Sequence, residues 1–329
     1  MSIIFDVREF EKASSGSVIR LLPQPNDTHP YYSDYDAAAL AVDAIVNRAP
    51  LHASGPSGTG KSHFFNSLLF GPPENMARIC EGLGLPRWPR VKCHRVFVSE
   101  AEGPHDVWYK TGVVRFTTVE QPQKIIRILE EAAGEDDVLH VVWLLESGRG
   151  ITASVQGGWL EIIGQDTIRE PHGRMFELKN VAFVTDSNHS ANDAGQFAIY
   201  DLDQAFGRRW VRRITLRPLS PEQEAAVLGE LMPRATEQQV SRVVTLAAAI
   251  RARHAEGGLH SILPPSIDAE LDLLGCICRL RIDAHTIVFS NLLGHCAERD
   301  REEAETIFAE AFGVRVKADT PAAEAVGVL

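Results

Sequence analysis

APLHASGPSGTGKSHFFNSLLF, residues Ala49–Phe70, is the stretch on which the fold turns. Its opening, APLHAS, reads as a short strand, and its end, SHFFNSLLF, as a helix. Between them GPSGTGKS (Gly55, Pro56, Ser57, Gly58, Thr59, Gly60, Lys61 and Ser62) fits G-x-x-x-x-G-K-[ST] in full, and in the strand–turn–helix setting the pattern requires. Glycines let such a loop close around a phosphate with several backbone N–H groups turned inward. A helix beginning near Lys61 adds its positive dipole end. Lys61 is expected to neutralise β- and γ-phosphates, and the Ser62 hydroxyl to bind Mg²⁺.

Outward from this loop the chain alternates. DYDAAALAVDAIVNR precedes it as a helix with an acidic first turn and Arg48 at its end. After it, VKCHRVFVS and GVVRFTTV read as strands, PQKIIRILEEAAG as a helix and VLHVVWLLE as a fully buried strand. A helix through ASVQGGWLEII and a further strand, NVAFVTDSN, follow. Strand–helix alternation predicts an α/β domain, a parallel sheet with helices on both faces. From Pro221 to about Gly313 the pattern is helical throughout, in PEQEAAVLGELM, TEQQVSRVVTLAAAIRARHAE, SIDAELDLLGCICRL and FSNLLGHCAERDREEAETIFAEAF. The expected organisation is an N-terminal extension over 1–35, an α/β nucleotide-binding domain over 36–218, a smaller all-helical lid over 219–313 and a flexible tail over 314–329.

Phosphate-transfer chemistry needs more than the loop. A carboxylate at the end of a second buried strand holds Mg²⁺ and polarises water. VVWLLE offers Glu146, but the residue before it is Leu145 where an Asp is usual, so Glu146 serves either the water or the metal. NVAFVTDSN ends in a polar cluster of Thr185, Asp186, Ser187 and Asn188, at the strand end that faces a ligand crevice in parallel sheets. Asn188 is placed to orient water near a γ-phosphate, or else caps the strand exit. In DLDQAFGRRW, Arg208 and Arg209 precede another strand, where they are solvated or reach a γ-phosphate on a neighbouring subunit.

Bulk composition narrows the alternatives. A formal net charge of −11 argues against a chain that grips a nucleic-acid backbone by itself. No stretch approaches the roughly 18 uninterrupted apolar residues of a membrane helix, and MSIIFDVREFEKASSG is not a signal peptide. Five cysteines, an odd number, suit a reducing cytoplasm, and Cys276 and Cys278 read as buried thiols in a helix.

This order of elements resembles the AAA+ superfamily over about residues 30–310, and within it the McrB-like and MoxR-like branch. LESGRG, with Glu146, Arg149 and Gly150, is similar to the McrB-type Asp-Glu-Ile-Asn-Arg-Gly stretch but lacks its Asp. FELKNVAFVTDSNHSAND is similar to the family strand ending in Met-Asn-Thr-Ala-Asp, and LDQAFGRRW to its Leu-Asp-x-Ala-Leu-Arg-Arg-Arg-Phe. The resemblance implies a homo-oligomeric ring, a hexamer, with nucleotide held between subunits and Arg208 and Arg209 as trans fingers. The McrB likeness raises GTP as a substrate. MoxR-like proteins imply ATP and a partner protein, often one carrying a von Willebrand A domain. The expected function is a nucleotide-driven motor or switch subunit in a defence or restriction-like complex. Two rival readings stand beside it. One is a hydrolysis-deficient scaffold, which Leu145 favours. The other is a DNA-associated loader, for which IREPHGRMFELK, with Arg169, His172, Arg174 and Lys179, is the short basic candidate.

Overall fold

The computed structural model describes residues 3–24, 29–56, 59–88, 90–98, 103–114, 117–145, 153–187, 204–259, 261–280, 282–293 and 296–313. The chain divides into two compact units, one of residues 5–56 and 61–216, the other of 1–4, 57–60 and 217–329.

The larger unit opens with β1 (Ile4–Asp6), β2 (Val18–Leu21) and β3 (Tyr31–Asp34), which form a three-stranded sheet in that order. Asp34 ends β3 and caps α1 (Tyr35–Val46), its carboxylate accepting from the N–H groups of Asp36 and Ala37. That geometry satisfies two of the donors a helix start leaves open. The elements that follow are β4 (Leu51–Ser54), α2 (Lys61–Phe65) running on into a π-turn over Asn66–Phe70, α3 (Glu74–Leu83) and β5 (Arg90–Phe97). Next come β6 (Tyr109–Val114), β7 (Thr117–Pro122), α4 (Lys124–Gly134) and β8 (Val138–Leu145). The unit closes with α5 (Ala153–Leu160), β9 (Thr167–Arg169), β10 (Met175–Glu177), β11 (Val181–Ser187), α6 (Gln204–Arg209) and β12 (Arg212–Thr215).

Five strands form the central sheet in the order β12-β4-β11-β8-β5, and every pairing in it is parallel. The pleat sorts the side chains onto two faces. Leu139, Val141 and Trp143 of β8, with Ala182 and Val184 of β11, join a core built with α1, α2 and α3. Val142 and Leu144, with Val181 and Phe183, join a second core built with α4 and α5. Alternation within each strand therefore buries both faces, which is why these strands read as continuous apolar runs.

Two local expectations change. GVVRFTTV is not one strand: β6 and β7 pair antiparallel as a hairpin. The first 35 residues are also more than an extension, since Val7, Phe10, Ile19 and Leu21 are essentially fully buried in the α1–α3 core. Asn75, itself buried, ties this segment down by accepting from the Leu22 N–H and donating to the Leu22 and Ser67 carbonyls.

The smaller unit is helical: α7 (Pro221–Leu231), α8 (Glu237–Ala255), α9 (Ile267–Arg279), α10 (Ala284–Val288) and α11 (Glu298–Phe312). Ser220 with Gln223, and Thr236 with Gln239, close reciprocal capping boxes at the first two. Leu228, Val243, Leu246, Ile250, Leu273, Leu274 and Phe308 fill its core. The long run expected from Phe289 is divided. Asp283 caps α10 earlier, a π-turn occupies Phe289–Leu293, and α11 starts at Glu298. Among the described residues no helix is long and apolar enough to cross a membrane.

Candidate nucleotide site

β4 lies inside the sheet, between β12 and β11. From it the chain crosses to the far edge at β5, returns through β8 and β11, then passes β4 to reach β12. Open α/β sheets bind ligands outside the carboxyl ends of their strands at such crossovers, and the loop Gly55–Ser62 issues from that end of β4. Gly60 has φ +73°, a left-handed conformation that glycine adopts without steric cost. The Lys61 side chain turns back toward β4. Its Nζ donates to the carbonyls of Gly55 at 2.9 Å and Pro56 at 2.6 Å. Lys61 is only 6% exposed. An ammonium so far from water needs hydrogen-bonded oxygen partners, and loop carbonyls supply them here. A phosphate oxygen is the stronger partner for the same charge.

Next to Lys61, the Ser62 hydroxyl donates to Oδ2 of Asp186 at 3.2 Å. The indole N–H of Trp143, on β8, donates to Oδ1 of the same carboxylate at 2.9 Å. Burial pushes the Asp186 carboxyl above the usual carboxylate range, against the pull of Trp143, Ser62 and the Lys61 ammonium. Neighbouring side chains hold the strand ends in place: Thr185 Oγ1 donates to the Leu144 carbonyl at 2.9 Å, and His52 Nε2 meets Ser187 Oγ at 2.7 Å. β11 thus meets the loop through Asp186 and Ser62, and β8 and β4 in turn make polar contacts with β11 at the same end.

The sequence places Asp186 in a polar cluster with Thr185, Ser187 and Asn188 without giving it a role of its own, and the structure sets its carboxylate against Ser62. The signal was available in part: a missing Asp at Leu145, and an Asp at the end of another apolar strand. Leu145 itself is half-buried and packs against the α1–α3 core. Glu146, Asn188, Ser57 and Gly58 lie outside the described residues, as do Arg149 and Gly150. Arg208 and Arg209 end α6, Arg208 exposed and Arg209 half-buried. The Gln165 amide oxygen, turned toward Arg209, accepts from its guanidinium at 2.8 Å. Tyr31 on β3 has its ring 5.1 Å from that of His63 and 5.8 Å from that of Phe64, so it stands beside α2. Tyr35 instead stacks on Phe10.

The basic stretch Arg169–Lys179 folds as the β9–β10 hairpin. His172 meets Glu120 at 2.9 Å, Arg174 meets Glu130 at 2.5 Å, and Lys179 meets Asp136 at 3.1 Å. Glu170 is buried at its base. Burial pushes that carboxyl upward, but the N–H groups of His172 and Arg174 and the Tyr109 hydroxyl outweigh it and hold the pKa at about 2. All five cysteines are free thiols. Compared with models of known protein families and with curated protein sequences, the chain matches none.

Proposed function

We propose that the chain binds a nucleoside triphosphate, ATP or GTP, with Mg²⁺ through Gly55–Ser62, and that it works as an AAA+-type motor or switch subunit. The observation that carries this reading is Lys61: a buried ammonium held over the end of an inner parallel strand by two carbonyls of its own loop. Lys61 exchanges those carbonyls for β- and γ-phosphate oxygens, a charge-assisted replacement for neutral acceptors. Gly60 supplies the left-handed backbone that lets the loop curl around a phosphate. The donor set suits Mg²⁺, a hard cation that takes oxygen ligands, since Ser62 and a carboxylate adjoin one another beside the lysine. Ser62 and that carboxylate would hold the ion, which would supply positive charge against the negative charge of the phosphates. In the proposed assembly the chain forms a homo-oligomeric ring in which Arg208 and Arg209 reach a neighbour's γ-phosphate, Glu146 and Asn188 handle the attacking water, and a partner protein is remodelled or regulated.

Leu145 favours a second reading, a nucleotide-gated scaffold with little turnover, because an apolar residue packs where a metal-side carboxylate is usual. The DNA-loader reading draws no support from the β9–β10 hairpin, whose His172, Arg174 and Lys179 each pair with a carboxylate. Calorimetric titration and steady-state hydrolysis with Mg-ATP and Mg-GTP, wild type beside Lys61→Ala, test the proposal. Binding and turnover that Lys61→Ala abolishes support the motor. Binding without turnover supports the scaffold. If neither nucleotide binds, or Lys61→Ala binds as tightly as wild type, the nucleotide reading is lost.

A further inference from the structure

Beside the loop Gly55–Ser62 stands a carboxylate that the sequence pattern assigns to a different strand. On β8 the register runs Trp143 opposite Val184 and Leu144 opposite Thr185 of β11. One residue further along both strands are Leu145 and Asp186. Parallel neighbours at the same height project to the same face, and adjacent strands lie about 4.8 Å apart. Val184 and Trp143 belong to the α1–α3 face, and Leu145 packs there as well. Asp186, two residues beyond Val184, is on that face too, and its contact with Ser62 at the start of α2 agrees. A carboxylate has in effect moved sideways by one strand while keeping its height and its side of the sheet.

The surroundings of Asp186 fit the role. In the nucleotide reading Ser62 would ligate the metal, and a hydroxyl oxygen that coordinates a cation needs an acceptor for its proton. Asp186 Oδ2 already accepts that proton at 3.2 Å. Trp143 fixes the other carboxylate oxygen from β8, the strand that lacks an acid of its own at Leu145. A buried indole N–H usually finds a hydrogen-bond partner, and for Trp143 that partner is the carboxylate. Trp143 is 1% exposed and packs its ring against Phe65 of α2, 5.4 Å between centroids, so the indole cannot swing away without opening the core.

We propose that Asp186, with Ser62, holds the Mg²⁺ of the bound nucleoside triphosphate in place of the carboxylate absent at Leu145, and that Trp143 positions it. This rests on the nucleotide-binding reading above. It also releases Glu146 from the metal and leaves it to the attacking water.

The test uses the full chain and reads metal binding, not turnover. ATP affinity is measured calorimetrically with excess chelator and again with Mg²⁺, and Mn²⁺ replaces Mg²⁺ for electron paramagnetic resonance of the protein–nucleotide complex. Wild type is expected to bind ATP about tenfold or more tightly with metal, the scale on which ligand and supporting residues change metal affinity. Asp186→Asn is expected to keep metal-free ATP binding, to lose that gain and to show an altered Mn²⁺ spectrum. Asp186→Asn with Leu145→Asp is expected to recover part of it. Trp143→Phe, which keeps an aromatic ring but no N–H, is expected to retain only part of the metal gain. Full metal enhancement in Asp186→Asn overturns the proposal, as does a wild type whose ATP affinity ignores Mg²⁺. Should Asp186→Asn fail to fold, Ser62→Ala and Trp143→Phe decide: an unchanged metal response in both rejects the site. Failure of the nucleotide reading looks different, because ATP then does not bind even in chelator or binds equally to Lys61→Ala.

Discussion

Replacing Glu270 by glutamine removes a proton-binding group from the interior of the helical unit while keeping its acceptor oxygen. Glu224 is 1% exposed and Glu270 is 0% exposed, and Arg251 stands between them. Its guanidinium donates to Glu224 Oε1 at 2.6 Å, to Glu270 Oε1 and to the Pro265 carbonyl. One cation cannot neutralise two buried carboxylates. Burial, with the Glu224 charge added, pushes Glu270 from 4.5 up to about 8 against the pull of Arg251. Burial raises Glu224 as well. In the folded chain Glu270 therefore keeps a proton that the unfolded chain has released. An acid whose folded pKa is raised makes stability fall as pH rises, here across the window from 4.5 to about 8. The shift sets a ceiling of about 5 kcal/mol, and relaxation around the cluster reduces it. Urea unfolding of wild type and Glu270→Gln, followed by far-UV circular dichroism, gives the stability difference at each pH. It is expected to move in favour of the glutamine by at least about 1 kcal/mol between about pH 5 and about pH 8. The five tryptophans all lie in residues 5–56 and 61–216, so their fluorescence marks the other unit separately. Arg251→Met, which leaves both carboxylates without a cation, is expected to cost about 3–5 kcal/mol. A stability difference that stays flat with pH would refute the account in which folded Glu270 keeps its proton.

Two further outcomes follow from single positions. Asn180 is 1% exposed, and its amide nitrogen donates to the carbonyls of Ala132, Glu135 and Val138, stitching the end of α4 and the start of β8 to β11. Asn180→Ala is expected to destabilise the α/β unit by about 2–3 kcal/mol through buried carbonyls left without donors, read as an earlier tryptophan-fluorescence transition; a loss below about 0.5 kcal/mol would contradict it. Gly60→Ala places a Cβ on a backbone with φ +73°; left-handed backbone costs a non-glycine residue roughly 1–2 kcal/mol, and calorimetry is expected to show ATP binding weakened about tenfold or more, whereas unaltered affinity would mean the loop tolerates another curvature.

Much of the fold is legible in local pattern. Strands β4, β8 and β11 are read from apolar runs bounded by turn residues, and α7 and α8 from the helical pattern that begins at Pro221. Less legible are features whose cause is distant. No glycine, proline or asparagine separates Val114 from Thr117, so GVVRFTTV carries no turn signal and reads as one strand where the molecule has a hairpin. Val7, Phe10, Ile19 and Leu21 are scattered among polar residues, and only packing against α1 and α3 reveals them as core.

The candidate site divides along the same line. Sequence by itself determined the loop: the glycines, Lys61 and Ser62 are consecutive, so their chemistry is fixed by covalent spacing and needs no knowledge of the rest of the chain. It also determined that the acid expected beside Glu146 is Leu145. Only the tertiary structure decided which carboxylate faces Ser62. Asp186 lies 124 residues further along the chain, and its place is set by β11 pairing between β4 and β8. Strand order is a choice among non-local pairings that every apolar strand could make. It is settled by how the helices cover the two faces, a property of the assembled core and of no single segment.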